Sequence, residues 1–195
     1  MNGFAEKSFH YWIVNKPFGV LSQFTDKDGR RTLNSIYNFP KDVYPVGRLD
    51  MDSEGLLLIT NDKTLTNILL NPKSQTEKEY FVQVEGIPDA NALDKLRKGV
   101  IIEGRKTLPA KVKQIEEPEF EPRTPPIRVR KNIPVCWLSI IITEGRNRQV
   151  RKMTAAVGFP TLRLVRVRIK NLTIANMKTG DLRELSKTEI EGLKE

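Results

Sequence analysis

Three long segments commit this chain to building a sheet. Residues 79–85 alternate Tyr80, Val82 and Val84 with polar neighbours, the period of a half-buried strand. Residues 135–143 read Val-Cys-Trp-Leu-Ser-Ile-Ile-Ile-Thr, rich in β-branched side chains. Residues 162–169 set Leu162, Leu164, Val165 and Val167 against Arg163, Arg166 and Arg168, a strand with a basic face. Shorter strands are expected at 10–15, 44–46, 55–60, 100–103, 110–115 and 181–185, with 100–103 and 110–115 paired around Gly104-Arg105. Helices are expected after the Asn61-Asp62 cap, at 90–98 before Gly99, and at 148–157 before Gly158. A short helix with Thr32 as N-cap fits 32–39, and Thr188 fits the cap of a terminal turn. Four prolines make 116–126 a loop. The mix is α+β with many antiparallel strands. A chain of 195 residues holds one full domain or two small subdomains sharing a core.

The rarest residues limit the chemistry. One cysteine, Cys136, excludes an internal disulfide, and one histidine, His10, excludes nearly all zinc sites and any relay built on a second histidine. An enzyme of this composition works with carboxylates, Arg, Lys, Tyr and Ser. No apolar run approaches the ~20 residues of a membrane span, and residues 1–6 lack a basic-then-apolar signal pattern. A reduced cytoplasmic protein without a metal is expected.

Charge is polarised along the chain. Between Arg123 and Lys170 lie twelve basic residues and one acid, Glu144, a net of +11. The whole chain has 33 basic and 24 acidic residues, a net of +9, so the remainder is −2. Such polarity suits an extended anionic partner. Arg outnumbers Lys nine to three in the segment; its planar fork grips phosphates in pairs and stacks on bases, which favours nucleic acid.

The sharpest feature is Gly47-Arg48-Leu49-Asp50-Met51-Asp52-Ser53-Glu54-Gly55-Leu56-Leu57-Leu58. If extended, Asp50, Asp52 and Glu54 would share one face. They could then hold a hard cation for phosphodiester chemistry, or one Asp could be a nucleophile or base with structural neighbours. A turn is the favoured reading for Asp52, Ser53 and Glu54, whose residue types suit turns and caps. Asp50 differs, because an acid beside core-directed Leu49 needs a partner.

Together with three further stretches, this segment resembles the RNA pseudouridine synthases of the RsuA type. Gly-Arg-Leu-Asp at 47–50, followed by Ser-Glu-Gly-Leu-Leu-Leu, is similar to the catalytic motif. Lys16-Pro17-Phe18-Gly19 is similar to the Lys-Pro-x-Gly motif, and Lys78-Glu79-Tyr80 to the Lys-x-Tyr motif. Glu144 to Met153 is similar to the Gly-Arg-x-x-Gln-Val motif, and Leu164-Val165-Arg166 fits the strand after it. The four motifs stand in the family's order across residues 9–187, nearly the whole chain.

The resemblance implies the pseudouridine synthase fold: one catalytic domain over 1–195, with subdomains of about 1–75 and 76–195. They would share a central mixed, mostly antiparallel sheet, with the cleft between them. Members usually begin with a small S4-type domain, and a first motif at residue 16 leaves no room for one. The implied reaction isomerises a uridine of RNA, large-subunit ribosomal RNA above all, with no cofactor and no metal. The implied catalytic residues are Asp50, with Arg146 as its partner, and Tyr80, stacked on the target uracil. Arg48 would fill the gap left by the flipped base or form an ion pair; the two readings stay open. Lys16 would be a phosphate or structural contact near the cleft, and Arg148, Arg151, Lys152 and Arg166 would meet RNA. A monomer is expected. The rivals are a metal-dependent nuclease using Asp50, Asp52 and Glu54, a synthase acting on another RNA, and a non-catalytic rRNA-binding protein.

Overall fold

The computed structural model describes residues 8–128, 130 and 132–195; residues 1–6, read above for a signal pattern, and Lys131 of the basic segment lie outside these. The chain runs β1 (Tyr11–Lys16), β2 (Tyr44–Pro45), β3 (Glu54–Thr60), α1 (Lys63–Leu70), β4 (Lys78–Glu85) and α2 (Ala90–Lys98). It continues through β5 (Ile101–Ile102), β6 (Arg105–Lys106), β7 (Lys111–Ile115), β8 (Val135–Ile142) and α3 (Gln149–Ala156). β9 (Thr161–Ile169), β10 (Leu172–Thr173), β11 (Leu182–Glu184) and α4 (Lys187–Lys194) complete it.

Among the described residues nine strands form one mixed sheet, ordered β11-β1-β3-β9-β4-β8-β7, with β2 on β3 and β10 on β9. Every pairing is antiparallel except β3 with β9. All seven residues of β3 are buried. Leu56 and Leu58 meet Leu65 and Leu69 of α1 and Leu193 of α4, while Leu57 and Ile59 meet Val14, Val20, Leu33 and Phe39. Cover on both faces is why this strand is an unbroken apolar run rather than an alternating one. A second core joins Val82, Val84, Leu138 and Ile140 to Leu96 of α2 and Met153 of α3.

Several local expectations are corrected. β5 does not pair with residues 110–115: it turns back onto β6, with Glu103 and Gly104 both at positive φ, the geometry of a two-residue hairpin. β7 pairs instead with β8. Thr32 caps no helix with its side chain; its hydroxyl donates to Phe24 O, and only a 3₁₀ turn, Leu33–Ser35, follows. Ser186, not Thr188, caps α4, through a reciprocal capping box with Glu189. β11 pairs with β1 and α4 packs on α1, so the C-terminal residues join the N-terminal strands in the one sheet.

The basic face of β9 is also revised. Tyr80 stands opposite Arg166 while the adjacent Glu79 stands opposite Arg168, so Val167 has no counterpart. This bulge sends Arg166 and Arg168 to opposite sides of the sheet. Arg168 pairs with Glu79 and Glu77, and Arg163 is buried in a two-pronged pair with Glu54.

Candidate active site

The loop of residues 47–53 runs from β2 into β3 and is braced from two directions. The Ser22 hydroxyl donates to Leu49 O (2.8 Å) and accepts from Leu49 N (3.0 Å). Gly19 N donates to Met51 O (2.8 Å), so the Lys-Pro-Phe-Gly turn holds the loop from below. From the far side Arg148 donates both guanidinium nitrogens to the Asp52 carboxylate (2.8 and 2.7 Å), and Arg151 donates to Asp52 O (2.6 Å). The Arg148 hydrogen bonds hold the Asp52 carboxyl below the usual carboxylate range.

The three carboxylates of this segment therefore diverge. Glu54 points into the sheet toward Arg163, Asp52 toward Arg148 and Arg151, and Asp50 into an open cleft. Among the described residues no group of three His, Cys, Asp or Glu side chains is arranged to hold a metal ion. Asp52 sits in the expected turn, closed by Ser53 N donating to Asp50 O (3.0 Å), while Glu54 is the first residue of β3, and both carboxylates also make long-range pairs that anchor the loop carrying Asp50.

The cleft has a volume of about 990 Å³, room enough for a nucleotide. Asp50, Tyr80, Arg166, Arg48, Arg146 and Arg148 all line it. Leu49 and Tyr80 share one core cluster, so burying Leu49 leaves its neighbour Asp50 facing the cleft with its side chain one-third exposed. Tyr80 keeps only 8% of its surface, with one edge on the cleft.

Arg146 is not the partner of Asp50 expected above. Its guanidinium donates to the carbonyls of Ile102 and Arg105, and the Gln149 side chain accepts from Arg146 N while donating to Glu144. Arg148 comes to 3.7 Å from the Asp50 carboxylate. Arg148 takes a left-handed backbone (φ 50°) at the start of α3, which turns its side chain back over the Asp50–Asp52 loop. Arg166, expected on an RNA-facing surface, is 3% exposed at the cleft floor. Its Nε donates to Leu56 O (2.8 Å), and its buried Nη2 has no partner among the described residues. Arg48 is exposed at the rim and forms no hydrogen bond or ion pair among the described residues, so the ion-pair reading of Arg48 is not realised. Lys152 pairs with Glu103 (2.6 Å). Ser22 was not legible as a site residue, since a lone serine in a loop carries no signal of what it clamps.

Lys16 is fully buried, which removes it from any phosphate contact. Its ammonium donates to Pro17 O (2.9 Å) and Val20 O (2.7 Å), fixing the turn that braces the loop. Desolvation lowers its pKa from 10.5 to about 8, against the opposing pull of Glu54, Asp52 and Asp50. Below pH 8 native and unfolded chains both hold the proton, and the native state bears the cost of the buried charge. Between pH 8 and 10.5 only the native state loses it, and the cost fades. The stability of the wild type relative to Lys16→Met should thus rise by about 3 kcal/mol from pH 7 to 10.5. Urea unfolding at several pH values measures this, and a flat difference would show that Lys16 carries no such penalty.

The pattern of the RNA pseudouridylate synthase family matches residues 10–156. Ribosomal large subunit pseudouridine synthase E of Vibrio parahaemolyticus is 54% identical over 173 residues, covering 89% of this chain and 72% of the relative. The protein of the same name from Xanthomonas campestris is 51% identical over 174 residues, covering 88% and 92%. A crystal structure of a pseudouridylate synthase superposes with a TM-score of 0.80 at 27% identity, over 95% of this chain and 74% of that one.

Proposed function

The chain belongs to the RNA pseudouridylate synthase family and is an RNA pseudouridine synthase, and from that premise we propose that it modifies a uridine of 23S ribosomal RNA with Asp50 as the catalytic carboxylate. The observation that carries this reading is the meeting of Asp50, Tyr80 and five arginines, Arg48, Arg105, Arg146, Arg148 and Arg166, in one open cleft. The relatives named for the large ribosomal subunit support the choice of RNA.

The isomerisation breaks the C1′–N1 bond and forms C1′–C5; C5 gives up its proton and N1 gains one. A carboxylate that attacks, or that abstracts a sugar proton, must stand free of tight hydrogen bonds and open to the substrate. Asp50 meets that demand: its ion pair to Arg148 is loose, while Asp52 takes the short hydrogen bonds. Tyr80, packed from behind and open on one edge, suits stacking against uracil. A uridine in folded RNA reaches this cleft only by flipping out of its stack. Arg48, exposed at the rim and unpartnered among the described residues, is placed to fill the gap. Arg146 and Arg148 line the same opening and would meet phosphates, which position RNA without reading its sequence. We take the enzyme to act as a cytoplasmic monomer.

Pseudouridine mapping of ribosomal RNA from cells with and without the gene tests the reading. One large-subunit site should vanish with the gene and return on re-expression. An unchanged map, with rRNA binding retained in vitro, would leave a non-catalytic rRNA-binding protein instead.

A further inference from the structure

This inference rests on the reading of the cleft as the uridine site. Lys78 opens β4, and its side chain falls on the same strand face as Tyr80 two residues on. Both line the cleft with Asp50 and Arg166. The Lys78 ammonium has three donors, of which one goes to Thr76 O at 3.0 Å. Among the described residues no carboxylate pairs with it. The charged group acting on it is Arg166 from the neighbouring β9, a like charge. Burial and that guanidinium together lower its pKa to about 8.

The cleft floor thus holds two desolvated cations with free donors, two on Lys78 and the buried Nη2 of Arg166, and no carboxylate paired with Lys78. A neutral uracil ring cannot compensate such a site. A phosphodiester can, and each nucleotide that enters brings one. We propose that Lys78 is the phosphate-binding residue inside the cleft, holding the phosphodiester of the flipped target nucleotide so that the base lies against Tyr80 and the sugar beside Asp50. The Lys-x-Tyr spacing follows physically: an interval of two makes both side chains nearest neighbours on one face of a strand.

The test uses the rRNA fragment that contains the mapped uridine, made unmodified and with a neutral methylphosphonate at the 5′ or the 3′ phosphate of the target. On unmodified RNA, Lys78→Gln should lower kcat/KM about 10- to 100-fold, the range for one charge-assisted hydrogen bond. Lys78→Arg should recover part of it. With methylphosphonate at the contacted position the wild type should fall to the Lys78→Gln level, while Lys78→Gln falls little further. A mere structural role would not be erased by one neutral phosphate. If Lys78→Gln loses the same factor on both methylphosphonate RNAs as on unmodified RNA, or loses nothing on any, the proposal is overturned. A wild type that forms no pseudouridine on any RNA would instead remove the reading of the cleft, and this proposal with it.

Discussion

Asp50→Asn should fold and bind RNA like the wild type and form pseudouridine at least about 10⁴-fold more slowly, as expected when the essential nucleophile or base is removed. Asn matches Asp in size, and the carboxylate it replaces is one-third exposed with a single loose ion pair at 3.7 Å. Little packing or hydrogen bonding is lost with it. The loop stays in place, because its anchors are Ser22, Gly19, Arg148 and Arg151 acting on Leu49, Met51 and Asp52. RNA affinity should hold or tighten slightly, since a negative charge leaves a cleft that receives phosphates. Tritium release from RNA labelled at uridine C5 measures the chemistry, and filter binding measures affinity. Release near the wild-type rate would show that the reaction runs through another group.

The largest loss of stability is expected from Gly55→Ala. Gly55 follows Glu54 in β3 and pairs in parallel register with Arg166. Its φ is +104°, and a Cβ there would lie 2.2 Å from Arg166 O and 2.7 Å from Arg166 N. Those are backbone atoms of a strand held between β3 and β4, so no flexible side chain can give way. Backbone strain of about 1–3 kcal/mol adds to an overpacking cost of similar size, so a total of about 3 kcal/mol or more is expected. Gly29 supplies the control: its φ is +72° but nothing lies within 4 Å of an added Cβ. Gly29→Ala should cost only about 1 kcal/mol, the conformational part alone. Urea midpoints of the two variants separate strain from collision. Equal losses would mean that β3 and β9 do not approach as closely as described. Activity should fall with Gly55→Ala, because the same contact aligns the Asp50 loop with Arg166.

Where a structural signal is local, the sequence was sufficient. The α2 segment, read as 90–98 before Gly99, has those bounds in the structure, because its stop signal is adjacent in sequence. Period-two alternation located β4, and a nine-residue run rich in β-branched side chains located β8. The loop carrying Asp50 was legible because its motif is contiguous. What failed were statements about partners. Arg163, Arg166 and Arg168 read as one basic face, yet Arg163 pairs with Glu54, 109 residues away, and Arg168 with Glu79, 89 residues away. A bulge at Val167, produced by pairing with β4, turns Arg166 from an expected surface contact into a cleft-floor residue.

The same division holds in the candidate site. Arg146 and Arg148 are two positions apart in one motif, and residue type cannot say which one meets Asp50. The left-handed backbone at Arg148 decides it, by turning that side chain toward a loop 96 residues earlier. By itself, then, the sequence determined the fold class, the family and the motif that carries Asp50, because periodicity, caps and contiguous motifs act over a few residues. Only the tertiary structure decided which cations are buried, which are paired and which line the cleft. Those outcomes depend on what covers each strand face, and the covering residues come from parts of the chain brought together by β3, β4 and β9.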